Sequence, residues 1–238
     1  MAQQPAVSGS RLRPAPKFEA GFTLVEILVV LAIIATLIGL VAAIIPRALA
    51  AKNRMRAQTL VDKLGSTLEL MRADNDQYGK YPPSRSRDLR FGKVFVGKDI
   101  GQPNDTNVGI ETLFFFTNCP DIHCDQVTAD VNLIGNTDSD SFRATKGNAS
   151  DAEAREYLDP YEHPLVYINA NDYKDPKGLT EIQGIDGEKI EVHPKKLPSR
   201  VGGGYLNPNS FQLFSLGPDG KQDPDEAEEG DDIIFIGK

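Results

Sequence analysis

One charged residue, Glu26, lies near the start of a long apolar segment. The segment covers residues 22–45 and contains no Lys, Arg or Asp, and it exceeds the ~20 residues that a membrane-spanning helix needs. A carboxylate costs roughly 2.5–3.5 kcal/mol near the centre of a bilayer and less near its edge. Glu26 therefore needs a partner that compensates for its charge.

A second group of carboxylates lies between two short apolar segments near the C-terminus, interrupted by glycine and proline. Calcium suits such a loop because it takes six to eight oxygen ligands at flexible geometry, whereas magnesium requires a near-ideal octahedron. The loop has no His or Cys, which argues against zinc. The alternative is a solvated acidic surface, and the spacing is not that of an EF-hand. The acidic residues are Asp219, Asp223, Asp225, Glu226, Glu228, Glu229, Asp231 and Asp232.

The two cysteines, Cys119 and Cys124, lie together in "CPDIHC". Outside the cytoplasm they are expected to form a small disulfide loop. Free thiols are the second interpretation. A zinc site that includes His123 is the third, although the spacing matches no standard zinc motif.

The three histidines, His123, His163 and His193, are scattered along the chain, each beside Pro or Cys. They form no HExxH spacing and no pairing of a nucleophile with a base. The sequence therefore offers no candidate catalytic residue, and we expect that the protein is not an enzyme. An enzyme anchored at a membrane is the contrasting hypothesis.

The overall composition is acidic. The chain has 238 residues and a formal net charge of −8, with a pI near 5.0. This balance argues against a protein that coats nucleic acid, so no nucleic-acid partner is expected. Because the apolar residues at the front form one concentrated segment, the chain is predicted to contain one globular domain with an N-terminal appendage.

The apolar segment admits three interpretations. In a secretory signal peptide, Arg11, Arg13 and Lys17 would form the basic region and "ALA" at residues 48–50 the cleavage site. The segment is longer than the ~7–15 apolar residues of such a peptide, and it contains an acid. A plain uncleaved anchor accounts for the length but not for Glu26.

The third interpretation accounts for both the length and the acid. The sequence "G-FTLVE" ahead of an apolar helix resembles the type IV prepilin signature, which type IV pilins share with the pseudopilins of type II secretion. The resemblance implies a cytoplasmic leader, cleavage after Gly21 by a membrane aspartyl peptidase, and N-methylation of Phe22. Glu26 lies about 6 Å along a helix from the new α-ammonium. It would neutralise that group in its own chain or in a neighbouring subunit, because buried charges are tolerated only when paired.

Beyond the apolar segment, Pro46 is predicted to end or kink the helix. Helical periodicity then resumes and stops at "DNDQYGKYPPS", residues 74–84, which is rich in turn formers. Apolar residues recur at three- and four-residue steps and predict a stripe that packs on a globular partner. They are Ala57, Leu60, Val61, Leu64, Leu68 and Met71.

The remaining chain has mainly strand and loop signals. Residues 84–108 and 125–155 are predicted to be loop-rich surface insertions, with one strand near residues 94–96. "GIETLFFF", residues 109–116, predicts a short buried helix or strand. Strands are expected within residues 163–170, 180–193, 210–216 and 231–237, with a hairpin turn at Asp186-Gly187. Short connections favour antiparallel pairing.

The resemblance extends beyond the N-terminus. "NDQYGKYPPS", "GIETL" and "YLDPYEHPLVYI" resemble consecutive segments of the major pseudopilin of type II secretion, and "FQLFSLGPDGKQDPDEAEEGDDIIF" resembles its strand, calcium loop and strand. The likeness implies a calcium ion held by the carbonyl of Leu216 and the side chains of Asp219, Asp231 and Asp232, with Asp223 as an additional candidate. Residues 84–108, 117–155 and 171–205 have no counterpart in the compact members of that family.

These features predict an α+β, pilin-like fold. Residues 1–21 would form the leader, residues 22–74 a long helix whose part 22–45 spans the membrane and mediates assembly, and residues 75–238 a periplasmic domain with a small antiparallel sheet.

The expected function is that of a structural subunit of a periplasmic pseudopilus, anchored in the inner membrane by a single pass. Its expected partners are copies of itself, minor pseudopilins, the inner-membrane assembly platform and prepilin peptidase. The alternatives are a type IV pilin acting in adhesion, motility or DNA uptake, and an anchored periplasmic protein of another function.

Overall fold

The structure is a computed structural model that describes ten parts of the chain. They are residues 21–74, 80–84, 90–91, 94–95, 104–118, 131–142, 152–174, 180–199, 202–224 and 230–236. The chain divides into two compact units, Met1–Ala48 and Leu49–Lys238, and each is described by itself. Cys119, His123 and Cys124 lie outside the described residues, so the disulfide stays a prediction.

The first helix, α1, covers Leu24–Ala73. Pro46 lies inside α1 and does not end it. A proline removes one backbone donor, and a long helix retains its remaining hydrogen bonds on both sides of that position. The helix ends at Ala73, where the turn-forming segment of residues 74–84 was predicted to stop it.

The C-terminal part of α1 packs on the globular unit through the predicted stripe. All six stripe residues are buried, and Val61, Leu64 and Leu68 have no exposed surface. The neighbouring Gly65 leaves room for the ring of Phe235, since a Cβ at this position would lie 2.3 Å from that ring. The stripe is therefore the helical side of the main core.

The second helix, α2, covers Val108–Asn118. Residues 109–116 thus form a helix, one of the two structures predicted for them. Gly109 allows α2 to approach the backbone closely, because a Cβ at this position would lie 2.2 Å from the carbonyl oxygen of Tyr167. Phe116 is fully buried, and Phe114 and Phe115 pack against the same core.

Three pairs of two-residue strands involve the regions predicted as insertions. They are β1 (Arg90–Phe91) with β2 (Val94–Phe95), β3 (Ile134–Gly135) with β6 (Glu156–Tyr157), and β4 (Ser141–Phe142) with β5 (Ala152–Glu153), all antiparallel. Of these strands, only β6 lies outside those regions, directly after residue 155. The prediction that residues 125–155 are only a surface insertion is wrong for the described part. Leu133 and Ala154 are buried, because β3 pairs with β6 and joins this region to the core.

The central sheet has three antiparallel strands in the order β11-β10-β7. Strand β7 covers Val166–Asn169, β10 covers Phe211–Ser215 and β11 covers Ile233–Ile234. Phe211 lies opposite Asn169 in the β7 pairing, and Ser215 lies opposite Ile233 in the β11 pairing. Every residue of β7 and β10 is buried, so both faces of the sheet are covered.

A hairpin of β8 (Thr180–Gln183) and β9 (Lys189–Val192) confirms the predicted turn. Gly187 has a φ of 79° in this turn, a conformation that favours glycine. Ile182 and Val192 pack with Val166, Ile168 and Phe214 on one face of the central sheet.

The opposite face of the sheet carries the main core. Tyr167, Phe211 and Leu213 meet the stripe of α1 and the buried residues of α2 there. The helices and the small antiparallel sheets together confirm the predicted α+β class.

Candidate functional site: the N-terminal segment and the C-terminal acidic loop

The residues around the predicted processing site form the start of α1. Gly21, Phe22 and Thr23 precede the helix, and Glu26 lies in its first turn. The backbone N–H and the hydroxyl of Thr23 donate to Glu26 Oε2 at 2.8 and 2.9 Å, and the Glu26 N–H donates to the Thr23 hydroxyl at 3.2 Å. This is a capping box, in which two free backbone donors of a helix start are satisfied reciprocally.

The capping box was readable in the sequence and was missed there. Thr23 and Glu26 have the T-x-x-E spacing that marks such a start. Both donors of Thr23 reach Oε2, and Oε1 accepts no hydrogen bond from the described residues. Thr23 therefore holds Glu26 in place through Oε2, and within the described residues Oε1 is open to another partner.

The apolar segment that follows is exposed along its length. Phe22 is 83% exposed and Leu24 is 81% exposed. Within the described ranges, α1 is the one helix long and apolar enough to cross a membrane. Because exposed apolar surface on this scale marks a membrane or protein contact, the segment is suited to lipid or to other helices.

The acidic loop begins directly after β10, and glycines shape it. Gly217 and Gly220 have φ values of 71° and 66°. A Cβ at Gly217 would lie 2.8 Å from the Asp231 carboxyl carbon, and a Cβ at Gly230 would lie 2.3 Å from Asp223 Oδ2. Glycine at these two positions gives the carboxylates the space that they occupy.

Three carboxylates come together in this loop. Asp223, Asp231 and Asp232 each offer one oxygen, and these oxygens lie within 4.8 Å of one another. The backbone N–H of Asp223 donates to Asp232 Oδ2 at 3.0 Å, and that of Asp232 donates to Asp223 Oδ2 at 2.9 Å. The reciprocal bonds fix the two carboxylates relative to each other.

Lys195 supplies a positive charge that the sequence analysis did not assign to this loop. Its ammonium forms an ion pair with Asp232, and both side chains are more than nine-tenths buried. It also donates to the carbonyl oxygen of Asp223 at 3.2 Å. No local spacing signals this contact, because Lys195 precedes β10 and reaches the loop only through the fold.

The charge in the loop is only partly balanced. Asp232 Oδ1 is buried and has no hydrogen-bond partner in the described chain. Burial raises the pKa of Asp232, and Lys195 opposes the rise. Burial also raises the pKa of Asp231, and the nearby Asp219 and Asp223 add to the effect. An unpartnered buried oxygen among several carboxylates fits a hard cation such as calcium.

The other two predicted ligands lie near this cluster. Asp219 is close enough to act on the pKa of Asp231, and its Oδ1 accepts the backbone N–H of Lys221 at 2.8 Å. Leu216 is fully buried at the end of β10. The structure thus groups Asp223 with Asp231 and Asp232, and it places Asp219 beside them.

The turn before β7 holds the start of the loop. Asp159 Oδ1 accepts the backbone N–H groups of Tyr161 and His163 at 2.8 and 3.0 Å, and Oδ2 accepts the Ser215 hydroxyl at 2.6 Å. The Ser215 oxygen accepts the N–H of Gly217 at 3.1 Å, and His163 Nδ1 lies 3.2 Å from the Gly217 carbonyl oxygen. Asp159 and His163 therefore have a structural role here.

A comparison with known families finds the N-terminal segment. The family described as "Prokaryotic N-terminal methylation motif" matches residues 16–42. No curated protein and no solved structure matches the chain. The motif includes Gly21, Phe22 and Glu26. It supports a type IV pilin-like structural subunit that prepilin peptidase processes and that is anchored in a membrane by its apolar helix.

Proposed function

We propose that the protein is a structural subunit of a periplasmic pseudopilus in type II protein secretion. Prepilin peptidase cleaves between Gly21 and Phe22, Phe22 is N-methylated, and the mature subunits polymerise through residues 22–45. The observation that carries the proposal is the position of Glu26, which is the one acid of the apolar segment and lies in the first turn of α1 within the matched motif.

Oε1 of Glu26 accepts no hydrogen bond from the described residues, which supports a pairing between subunits. Cleavage creates an α-ammonium at Phe22, and assembly would bury it among apolar helices. A buried charge without a partner is heavily penalised. Thr23 holds one oxygen of Glu26, and the other oxygen is available to the α-ammonium of a neighbouring subunit.

The same proposal includes a calcium ion in the acidic loop. Asp219, Asp231 and Asp232, with the Leu216 carbonyl, are the proposed ligands, and Asp223 is an additional one. The space left by Gly217 and Gly230 and the unpartnered Asp232 Oδ1 support it. When bound, the ion supplies positive charge that links the end of β10 to the start of β11. This loop favours the secretion pseudopilin over a pilus subunit.

The assembly role is tested by Glu26→Leu in a host that forms the filaments. The Phe22 α-ammonium would then lack its counter-charge, at a cost of about 3–5 kcal/mol for a half-removed buried pair. Each 1.4 kcal/mol is a factor of ten in an equilibrium constant, so we expect roughly a hundredfold or greater loss of sheared and cross-linked polymer. The protein should still reach the membrane in normal amounts.

The matched control is Glu19→Leu. It makes the same chemical change in the segment predicted to be removed, so filament yield should be normal. A normal filament yield from Glu26→Leu would contradict the pairing of Glu26 with the α-ammonium of Phe22.

A further inference from the structure

A second acidic cluster lies apart from the C-terminal loop, around the first turn of α2. Its central residue is Glu111, which has no exposed surface. Neither Oε1 nor Oε2 of Glu111 has a hydrogen-bond partner within the described residues. A buried carboxylate with no donor is unusual, because nearly all buried polar groups are hydrogen-bonded.

Three more carboxylates surround Glu111. Asp138 and Asp140 follow β3, and Glu156 begins β6. Glu111, Asp138 and Glu156 each offer one oxygen, and these oxygens lie within 4.8 Å of one another. Asp140 is also close, since its charge acts on Glu111 and the two carboxyl groups lie within hydrogen-bond reach of each other, a bond that forms only when one of them carries a proton.

From the described residues, Asp138 and Asp140 each accept a hydrogen bond through only one carboxylate oxygen. Asn104 donates its side-chain amide to Asp138 Oδ2 at 2.9 Å and its backbone N–H to Asp140 Oδ2 at 3.0 Å. The other oxygen of each residue, Oδ1, is buried and has no partner in the part of the chain described. With the two oxygens of Glu111, the cluster contains four unpartnered buried carboxylate oxygens.

Glu156 is anchored more fully. Asn107 donates to its Oε1 at 2.8 Å, and the backbone N–H of Thr137 donates to its Oε2 at 3.0 Å. Asn107 also donates to the Thr137 hydroxyl at 2.8 Å. These neutral donors orient the carboxylate without neutralising its charge.

The cluster requires a positive charge or bound protons. Burial, together with the charges of Asp140, Asp138 and Glu156, raises the pKa of Glu111 to about 10. The main electrostatic influences on Glu111 are thus burial and other acids. The C-terminal loop differs, because Lys195 is paired with Asp232 there.

We propose that Glu111, Asp138, Asp140 and Glu156 bind a calcium ion. The unpartnered oxygens of Glu111, Asp138 and Asp140 supply four ligand atoms, and Glu156 supplies a fifth. Calcium fits an all-oxygen set in which ligands come from a helix, a loop and a strand, because it tolerates irregular geometry. Magnesium requires an octahedron and releases water reluctantly, and zinc prefers His and Cys ligands.

The ion would join three separate segments of the fold. Glu111 is on α2, the aspartates lie between β3 and β4, and Glu156 is on β6. Its charge would replace the mutual repulsion of the carboxylates with attraction to a common centre. This site shares no residue with the C-terminal loop, and it stands independently of the proposed function.

The experiment counts calcium bound to the purified full chain in detergent. The protein is first stripped with chelator and then dialysed against about 1 mM radioactive calcium, in the range where extracellular modules bind the ion. A loop variant, Asp219→Ala with Asp231→Asn, removes ligands of the other proposed site. We expect one equivalent of calcium on the loop variant, and none after Glu111→Gln is added to it.

The controls separate loss of binding from loss of folding. Glu191→Gln removes an exposed carboxylate of β9 and should leave the count unchanged. Asp138→Asn and Asp140→Asn, each in the loop variant, should weaken calcium binding at least tenfold while circular dichroism stays the same. If Glu111→Gln fails to fold, these two variants decide the question.

Two results would overturn the proposal. One is a folded loop variant that binds no calcium, which would mean that protons alone neutralise Glu111. The other is a full equivalent of calcium that persists after Glu111→Gln and both aspartate changes. Magnesium in place of calcium should bind about tenfold more weakly or worse.

Discussion

The two acidic clusters of the globular unit are stabilised in different ways. In the C-terminal loop, Asp232 is paired with the buried ammonium of Lys195, and one of its oxygens lacks a partner. Around α2, Glu111 has neither a cation nor a donor among the described residues. The first cluster has part of its counter-charge built into the chain, whereas no cation among the described residues is paired with Glu111 in the second.

An added cation should matter most where the described residues supply no counter-charge. A buried pair such as Lys195 and Asp232 balances its own charge, so calcium would add to an arrangement that is already partly neutral. Four carboxylates with no cation repel one another unless protons or a metal ion bind. Calcium should therefore affect the stability of the α2 cluster more strongly than that of the loop.

A large effect is expected when the loop loses its own cation. Lys195→Met leaves Asp232 buried without its partner and should lower the free energy of unfolding in chelator by about 3–5 kcal/mol. Calcium should restore part of the loss, because the loop then resembles the α2 cluster. Urea unfolding followed by circular dichroism measures both effects.

The double variant Lys195→Met with Asp232→Asn is the matched control. It removes both charges and should recover most of the stability, since an uncompensated charge is the cause of the loss. An equally unstable double variant would show that packing of the lysine stem, and not its charge, is what matters.

The α2 cluster should make stability depend on pH when calcium is removed. The pKa of Glu111 rises from an ordinary 4.5 to about 10 on folding, so the folded state keeps a proton that the unfolded state has released. Stability is therefore greatest below the unfolded pKa and falls as pH rises from about 4.5 towards 10, by up to about 1.4 kcal/mol per pH unit. Glu156, with a pKa of about 7, adds to the lower part of this range.

Unfolding free energies in chelator between about pH 5 and 9 measure this slope. Glu111→Gln should flatten it, and calcium should flatten it in the unchanged protein, while Glu191→Gln should leave it as it is. If Glu111→Gln does not alter the dependence of the unfolding free energy on pH, a group other than Glu111 causes it.

The smallest effect is expected at the start of α1. The carboxylate of Glu26 is stabilised there by the hydrogen-bond donors of Thr23 and not by a cation of the described residues. Thr23→Val removes the side-chain part of the capping box and should cost about 1 kcal/mol of helix stability, as caps do. Filament yield should fall far less than in Glu26→Leu, because the carboxylate itself remains. Thr23→Ser keeps the hydroxyl and is the control. Equal losses of filament yield in Thr23→Val and Glu26→Leu would show that Glu26 acts only as a helix cap.

The sequence predicted features that depend on neighbours along the chain. The stripe from Ala57 to Met71 follows from helical spacing, the β8–β9 hairpin from Asp186-Gly187, and the grouping of Asp231 with Asp232 from adjacency. The capping box of Thr23 and Glu26 belongs to the same class, because its T-x-x-E spacing is local.

Features assembled by tertiary contacts were not predicted. Glu111 meets Asp138 and Glu156 only after α2 packs beside β3 and β6, and no spacing along the chain relates them. Lys195 reaches Asp232 across the fold in the same way. The continuation of α1 across Pro46 was not predicted either. The hydrogen bonds of the helical turns on both sides outweigh the one hydrogen bond that the proline removes.

The proposed function begins with processing of a pilin-like subunit between Gly21 and Phe22. The decisive measurement is intact-mass and N-terminal analysis of the protein from host membranes. We expect a mature chain that begins at Phe22 and is methylated on its α-nitrogen. A chain that begins at Met1 or Ala2 would indicate a plain anchor, and a chain that begins at Ala51 would indicate an ordinary signal peptide. Either result would show that the protein is not processed as a prepilin.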